Sequence, residues 1–144
     1  MALAIVLGAF GAHLLRDHLS VKMLNAYQTG VLYHMVHALG MLAIWAFREK
    51  INNEKVFKQS LILLSLGTIM FSGSIYLLSL NECFNGGFQK WIGPITPIGG
   101  VLMIAGWLRL AWTGIKGKGP LIVLIFVMAS ITTFAQISIS NVTT

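Results

Sequence analysis

The chain alternates long apolar runs with short polar breaks, and the runs have the lengths of membrane helices. The first run covers 1–15, "MALAIVLGAFGAHLL", and ends at a charged patch over 16–22. Further runs follow at about 31–47, 59–80, 92–112 and 120–139. Between them lie "REKINNEKVFK", "NECFNGGFQK" and "TGIKGKG". A helix needs about 20 apolar residues to cross a hydrocarbon core of roughly 30 Å. The third and fourth runs meet that length. The first supplies only about 22 Å at 1.5 Å per residue, so its span is expected to begin upstream of Met1. It has no basic region before the apolar run, which argues against a signal peptide. The pattern predicts an all-α fold, a polytopic transmembrane helical bundle. Four core spans occupy 1–112, and a connector and a fifth span occupy 113–144.

Finer signals mark how the helices begin and pack. Ser20 suits a helix N-cap. Met23, Tyr27 and Val31 then recur at helical spacing, with Lys22, Asn25 and Gln28 on other faces. This predicts an interfacial amphipathic helix over 20–30, running on into the second span, with Trp45 at the far interface. Ala4, Gly8 and Ala12 form a small-residue stripe at i, i+4 and i+8 that admits a neighbouring backbone. Ser65, Thr68, Ser72 and Ser79 share one side of the third span, placed to pack or to bond to their own carbonyls. Pro94 and Pro97 argue against a regular helix over 92–96. Thr96 is expected as N-cap with Pro97 as the first helical residue, after an extended lead-in at 93–95. Gly99, Gly100 and Gly106 predict close packing, and Arg109 sits near enough to the helix end to snorkel. The fifth run carries a mildly polar face of Thr133, Gln136 and Ser140.

Composition agrees with the pattern. Hydrophobic residues make up 56% and charged residues 10%, against about 25% charged in soluble domains. The net charge of +6 does not suggest nucleic acid, because no basic patch is interleaved with aromatics. Excess Lys and Arg instead mark cytoplasmic loops. Arg48, Lys50, Lys55, Lys58, Lys116 and Lys118 fall on one side, and Arg16, Lys22 and Lys90 on the other. The imbalance places the N-terminus and the 48–58 loop in the cytoplasm and the protein in the cell membrane. The bilayer is the expected partner, with a second copy of the chain as a further candidate. Cys83 is the only cysteine, so no intrachain disulfide and no thiolate zinc cage can form.

The chemistry that needs explaining is histidine inside the spans. With the second span beginning near 31, His34 and His37 lie one and two turns from its outer end, about 60° apart around the helix. His13, Tyr33, Thr96 and Pro97 are expected in the same leaflet, forming with His37 and Ser72 an outer polar cluster. Three readings compete. The first is structural, with each imidazole bonded across the bundle because lipid offers no partner. The second is a metal or haem site, with His13, His34 and His37 as candidate ligands. A single haem cannot take both His34 and His37 on opposite faces, and no span carries a carboxylate to orient an imidazole. The third is transport or proton movement, suggested by ionisable groups in a membrane and by the interrupted start of the fourth span. An enzyme is the least supported class: no span carries Asp or Glu to complete a Ser72 or Ser74 triad, and no Walker, HExxH or dinucleotide motif is present. The sequon at Asn141 counts only in a secretory-pathway protein. The structural reading is favoured, with no cofactor expected.

Four stretches, "LGAFGAH" (7–13), "TGVLYHMVHAL" (29–39), "FSGSIYLLSL" (71–80) and "ITPIGGVLMIAGW" (95–107), closely resemble domain-of-unknown-function family 423, the YgdD- and YwdK-like small membrane proteins with eukaryotic relatives. The resemblance runs over about 4–112 and implies a four-helix membrane protein with no assigned activity. Its motif residues fall here on Gly8, Gly11, Ala12 and His13; on Gly30, Tyr33, His37 and Ala38; on Ser72, Gly73 and Tyr76; and on Thr96, Pro97, Gly99 and Gly100. Leu14 departs from a glycine usual in the family. The stretch beyond Gly114 has no counterpart in it.

Overall fold

The computed structural model describes residues 1–51, 53–84, 87 and 89–115. These form α1 (Ala2–His13), α2 (Val21–Ala46), α3 (Glu54–Cys83), the single turn α4 (Gln89–Ile92) and α5 (Ile95–Ile115), with a 3-10 turn at Arg48–Lys50. No strand occurs among the described residues. Three stretches are long and apolar enough to cross a membrane: Val21–Ala46, Glu54–Cys83 and Lys90–Trp112, the last joining α4 to α5. The helix α1 is apolar but shorter. The fifth span expected at 120–139 lies outside the described residues.

Local chemistry sets the helix ends, and several differ from the sequence reading. Ser20 does cap α2, its Oγ accepting from the Met23 N–H at 3.3 Å. Nothing interrupts α2 after residue 30, and Tyr27, Gly30 and Val31 are buried. Residues 21–30 and the second span therefore form one continuous helix. The helix α3 starts at Glu54, five residues before 59, because Asn53 Oδ1 accepts from the Val56 N–H at 3.2 Å. Its charged first turn carries the Lys58–Glu54 ion pair at 3.2 Å. The helix α5 starts at Ile95, so Thr96 is inside it rather than capping it. Pro97 fits there because first-turn N–H groups have no intrahelical acceptor. The lead-in is the helical turn α4 followed by a turn at 93–94, not an extended strand.

The helices pack in chain order: α1 on α2, α2 on α3, and α3 on α5 as the most intimate pair. One apolar core joins Leu15, Leu19, Tyr27 and Val31; another joins Ile44, Phe57, Leu64 and Leu110. The outer faces are equally apolar, with Ile69, Val101, Ile104 and Leu108 exposed. That combination fits a bilayer, where lipid is as apolar as the core. Trp91 and Trp112 are exposed at opposite ends of the last span, and Trp45 at the end of α2. The unbroken helix from Ile95 to Trp112 has 18 residues, about 27 Å, close to the roughly 30 Å of the hydrocarbon core.

Backbone contact explains why α3 and α5 lie so close. A Cβ on Gly67 would stand 2.8 Å from the Gly99 carbonyl oxygen and from the Met103 nitrogen, and one on Gly99 would strike Phe71 N. Gly106 meets Leu64 at 2.9 Å. The expected roles of Gly99 and Gly106 therefore hold, but Gly100 has only the Phe71 ring at 3.9 Å. In α1 the expected stripe shifts. Ala4 is fully buried and Gly8 meets Val31 at 3.2 Å, while Ala12 is exposed and Gly11 makes the tight contact, on the Tyr27 ring.

Candidate functional site

Polar groups inside the bundle are distributed over successive levels. At the first, the Tyr27 hydroxyl donates to the Leu7 carbonyl at 2.7 Å, tying α2 to α1. Gly11 leaves the space that the Tyr27 ring fills. Tyr76 of α3 packs on Tyr27 with centroids 5.2 Å apart, and its hydroxyl lies 3.4 Å from His34 Nδ1. Beneath them Ser72 donates to the Gly30 carbonyl at 2.8 Å, linking α3 to α2. On the other flank Ser74 donates to the Phe71 carbonyl at 2.8 Å and meets Thr96 Oγ1 at 2.7 Å. Since Ser74 has spent its proton, Thr96 donates to it, and this bond holds the start of α5 to α3.

The next level is aromatic. His37 is buried, 8% exposed. Its Nδ1 lies 2.8 Å from the Tyr33 carbonyl oxygen, which can only accept, so Nδ1 carries the proton and Nε2 keeps a lone pair. Tyr33 stacks on His37 with centroids 5.8 Å apart, and Phe71 packs on Tyr33 at 4.7 Å. Trp107 of α5 reaches His37 at 6.2 Å across the space left by Gly40. Below it, Thr68 donates to the Leu64 carbonyl at 2.7 Å and Ser65 to Met41 Sδ at 3.2 Å. The Arg109 guanidinium donates to Gln59 near the far end of α3 and α5.

The expected cluster is thus partly assembled. Tyr33 and His37 are together, and Ser72 and Thr96 each bind a neighbouring helix through partners of their own. His34 and His37 are the fourteenth and seventeenth residues of the 26 in α2. They lie near its middle, not within two turns of its start. His13 sits apart, exposed at the end of α1. Gly11 is level with Tyr27, and ten helical residues separate Tyr27 from His37, about 15 Å along the axis. The three histidines considered as metal ligands do not converge. No group of three or more His, Cys, Asp or Glu that could hold a metal occurs among the described residues.

The sequence reading missed the acceptors. Leu7, Gly30 and Phe71 contribute carbonyl oxygens, which any residue carries, so only packing reveals them. Gly40 and Trp107 are legible in hindsight as a small-large pair. Another missed contact is the Glu82 carboxylate at the end of α3, which accepts from the Ser20 N–H at 2.7 Å and ties the 14–20 turn to the bundle.

The comparisons agree with this architecture. The family model described as "Protein of unknown function (DUF423)" matches residues 7–100. The chain is 37% identical to the UPF0382 membrane protein YwdK of Bacillus subtilis, over 79% of this chain and 88% of that one. It is 44% identical to a UPF0382 membrane protein of Staphylococcus saprophyticus, over 75% and 83% of the two chains. For the UPF0382 inner membrane protein YgdD of Escherichia coli the figures are 38%, 79% and 82%. No solved structure matches. With three apolar spans, a helix-only architecture and a family match over most of its length, the chain is a multi-pass membrane protein of the DUF423 family.

Proposed function

We propose that this protein is a structural component of the cell membrane, whose internal polar groups lock a fixed helix arrangement rather than bind a cofactor or catalyse a reaction. One observation carries the reading: four of the polar side chains within the bundle are spent on hydrogen bonds inside it. Tyr27, Ser72 and Thr96 each bond to a neighbouring helix, and His37 bonds to its own. A site for substrate or metal needs donors and acceptors left over and convergent. Here the Tyr27, Ser72 and Thr96 hydroxyls and the His37 Nδ1–H are paired locally, at different levels.

The N-terminus and the turn at Arg48–Lys50 belong on the cytoplasmic side in this reading. Arg48, Lys55 and Lys58 cluster there, and Arg48 lies over the Trp45 ring at 5.7 Å, a pairing suited to the headgroup layer. Four crossings by α1, α2, α3 and α5 place that turn and the end of α5 on one side.

The test is elemental analysis and an absorption spectrum of protein purified in mild detergent without a metal-affinity tag, beside thermal unfolding of His37→Ala. The structural reading expects a colourless, metal-free protein and a lowered melting temperature in the variant. Near-stoichiometric metal or a haem band lost in His37→Ala would overturn it in favour of a ligand site.

A further inference from the structure

Two stripes of the same spacing run side by side on the surface of the α3–α5 pair. On α3, Lys55, Gln59, Ile62 and Leu66 fall at i, i+4, i+7 and i+11, on one side of the helix. On α5, Ile98, Leu102, Ala105 and Arg109 repeat that spacing with the polar residue last. The two helices are antiparallel: Gly67 lies against Met103, Leu64 against Gly106, and Arg109 donates to Gln59. The polar ends of the stripes therefore meet, and their apolar parts lie alongside each other toward the middle of the membrane. The helix α2 covers the other flank of the pair, meeting α3 at Ser65 and Ser72 and α5 at Trp107. Ile62, Leu66 and Ile98 are exposed. The stripes thus border a surface groove with cations at one end and apolar walls beyond them.

Depth and charge decide what fits the cationic end. Arg109 lies three residues before Trp112, about 4.5 Å along the axis. Trp112 is exposed near the helix end, where an indole suits the headgroup layer. A guanidinium at that depth reaches the phosphate level by snorkelling. Gln59 is neutral, so its bond aims the guanidinium without cancelling the charge. Lys55 lies one turn further out on α3 and is exposed. Glu54, the acidic residue of that first turn, is engaged by Lys58 at 3.2 Å. An Arg and a Lys on neighbouring helices match a phosphodiester, and basic sites between membrane helices take anionic lipid headgroups. The apolar walls select the source of the phosphate, because a ligand lying along Ile62, Leu66 and Leu102 must carry acyl chains. A zwitterionic lipid brings an ammonium to a site that already holds two cations, so the charge favours an anionic one.

We propose that the α3–α5 groove binds an anionic phospholipid, its phosphodiester held by Arg109 and Lys55 and an acyl chain laid along the apolar stripes. This site is on the outer surface, apart from the interior bonds that carry the structural reading. The test is native mass spectrometry of the full chain, purified in mild detergent and offered equal amounts of phosphatidylglycerol and phosphatidylcholine. Phosphatidylglycerol is expected to be retained in preference. Lys55→Gln and Arg109→Gln are each expected to lower that preference about fivefold, the effect of one cation at an anionic membrane surface. Arg48→Gln removes a cation from the same end of the bundle, but one that lies over the Trp45 ring on α2, and is expected to leave the preference unchanged. Lys55 is exposed and makes no core contact, so its variant decides the matter if Arg109→Gln fails to fold. Equal retention of the two lipids overturns the proposal, as does an unchanged preference in Lys55→Gln. A loss in Arg48→Gln as large as that in Lys55→Gln overturns it in favour of diffuse charge at this end. Displacement of the lipid by inorganic phosphate overturns it in favour of a free-phosphate site.

Discussion

At the scale of single residues, the glycines and hydroxyls of this bundle are not equivalent. Gly67 and Gly99 stand where backbone meets backbone, whereas a Cβ on Gly73 would have nothing within 4 Å. Gly99→Ala must push α5 off α3 and is expected to cost about 1–3 kcal/mol, as overpacking does. Gly73→Ala is expected to be neutral or stabilising by about 0.5–1 kcal/mol, since it only restricts the unfolded chain. Unfolding of the two variants in detergent, side by side, checks the contrast, and equal losses would contradict the packing. The same logic applies to hydroxyls. Ser60 is fully buried with no hydrogen-bond partner among the described residues, while Ser72 is spent on the Gly30 carbonyl. Ser72→Ala should lose an interhelical bond of about 0.6 kcal/mol, and at most about 1.7. Ser60→Ala removes an unsatisfied group and should not destabilise. Thermal melts that rank Ser60→Ala below Ser72→Ala would refute this assignment.

At the scale of elements, the helix ends carry the measurable chemistry. Asn53 begins α3 by accepting from Val56, and Ser20 begins α2 by accepting from Met23. Asn53→Ala is expected to cost about 1 kcal/mol, and hydrogen exchange should show it as earlier opening of residues 54–57 with little change elsewhere in α3. Uniform acceleration along the whole helix would mean that Asn53 is not a local cap. These ends also show how far the sequence could be read. Apolar run length revealed the second, third and fourth crossings, because hydrocarbon thickness imposes it. The cap at Ser20 was legible from residue type alone. The start of α3 was not, since Glu54, Lys55 and Lys58 look like loop residues until Asn53 is recognised as their cap. The start of α5 was misplaced for a similar reason. Proline tolerates several first-turn positions, and only the bond from Thr96 to Ser74 shows where the turn lies. Within the site, Tyr33 and His37 were expected in one cluster, and their separation of four residues on α2 is what stacks them. The separation of His13 was not, because it depends on the register of α1 against α2, which Gly11 and Tyr27 set.

At the scale of the whole molecule, charge and geometry bear on one question, the direction of the chain across the bilayer. The turn at Arg48–Lys50 and the first turn of α3 gather cations at one end of the bundle. At the opposite end, Arg16 and Lys22 share the surface with Asp17 and Glu82. The Glu82 carboxylate is already committed to the Ser20 N–H. Short loops rich in Lys and Arg stay in the cytoplasm, whereas acidic residues contribute little to orientation. The proposed topology therefore depends on Arg48, Lys50, Lys55, Lys58, Lys116 and Lys118 outweighing Arg16, Lys22 and Lys90. A reporter active only in the cytoplasm, fused after residue 51, is expected to be active, and one fused after residue 17 inactive. Replacing Arg48, Lys50 and Lys55 by Gln, with Lys58 left to pair with Glu54, removes most of the bias without touching a helix contact. In that variant the two reporters are expected to give mixed signals, because the remaining charges nearly balance across the bilayer. If the reporter after residue 51 is inactive in the unaltered chain, the orientation is reversed. The packing between α2, α3 and α5 would be unaffected, since none of its contacts refers to a side of the membrane.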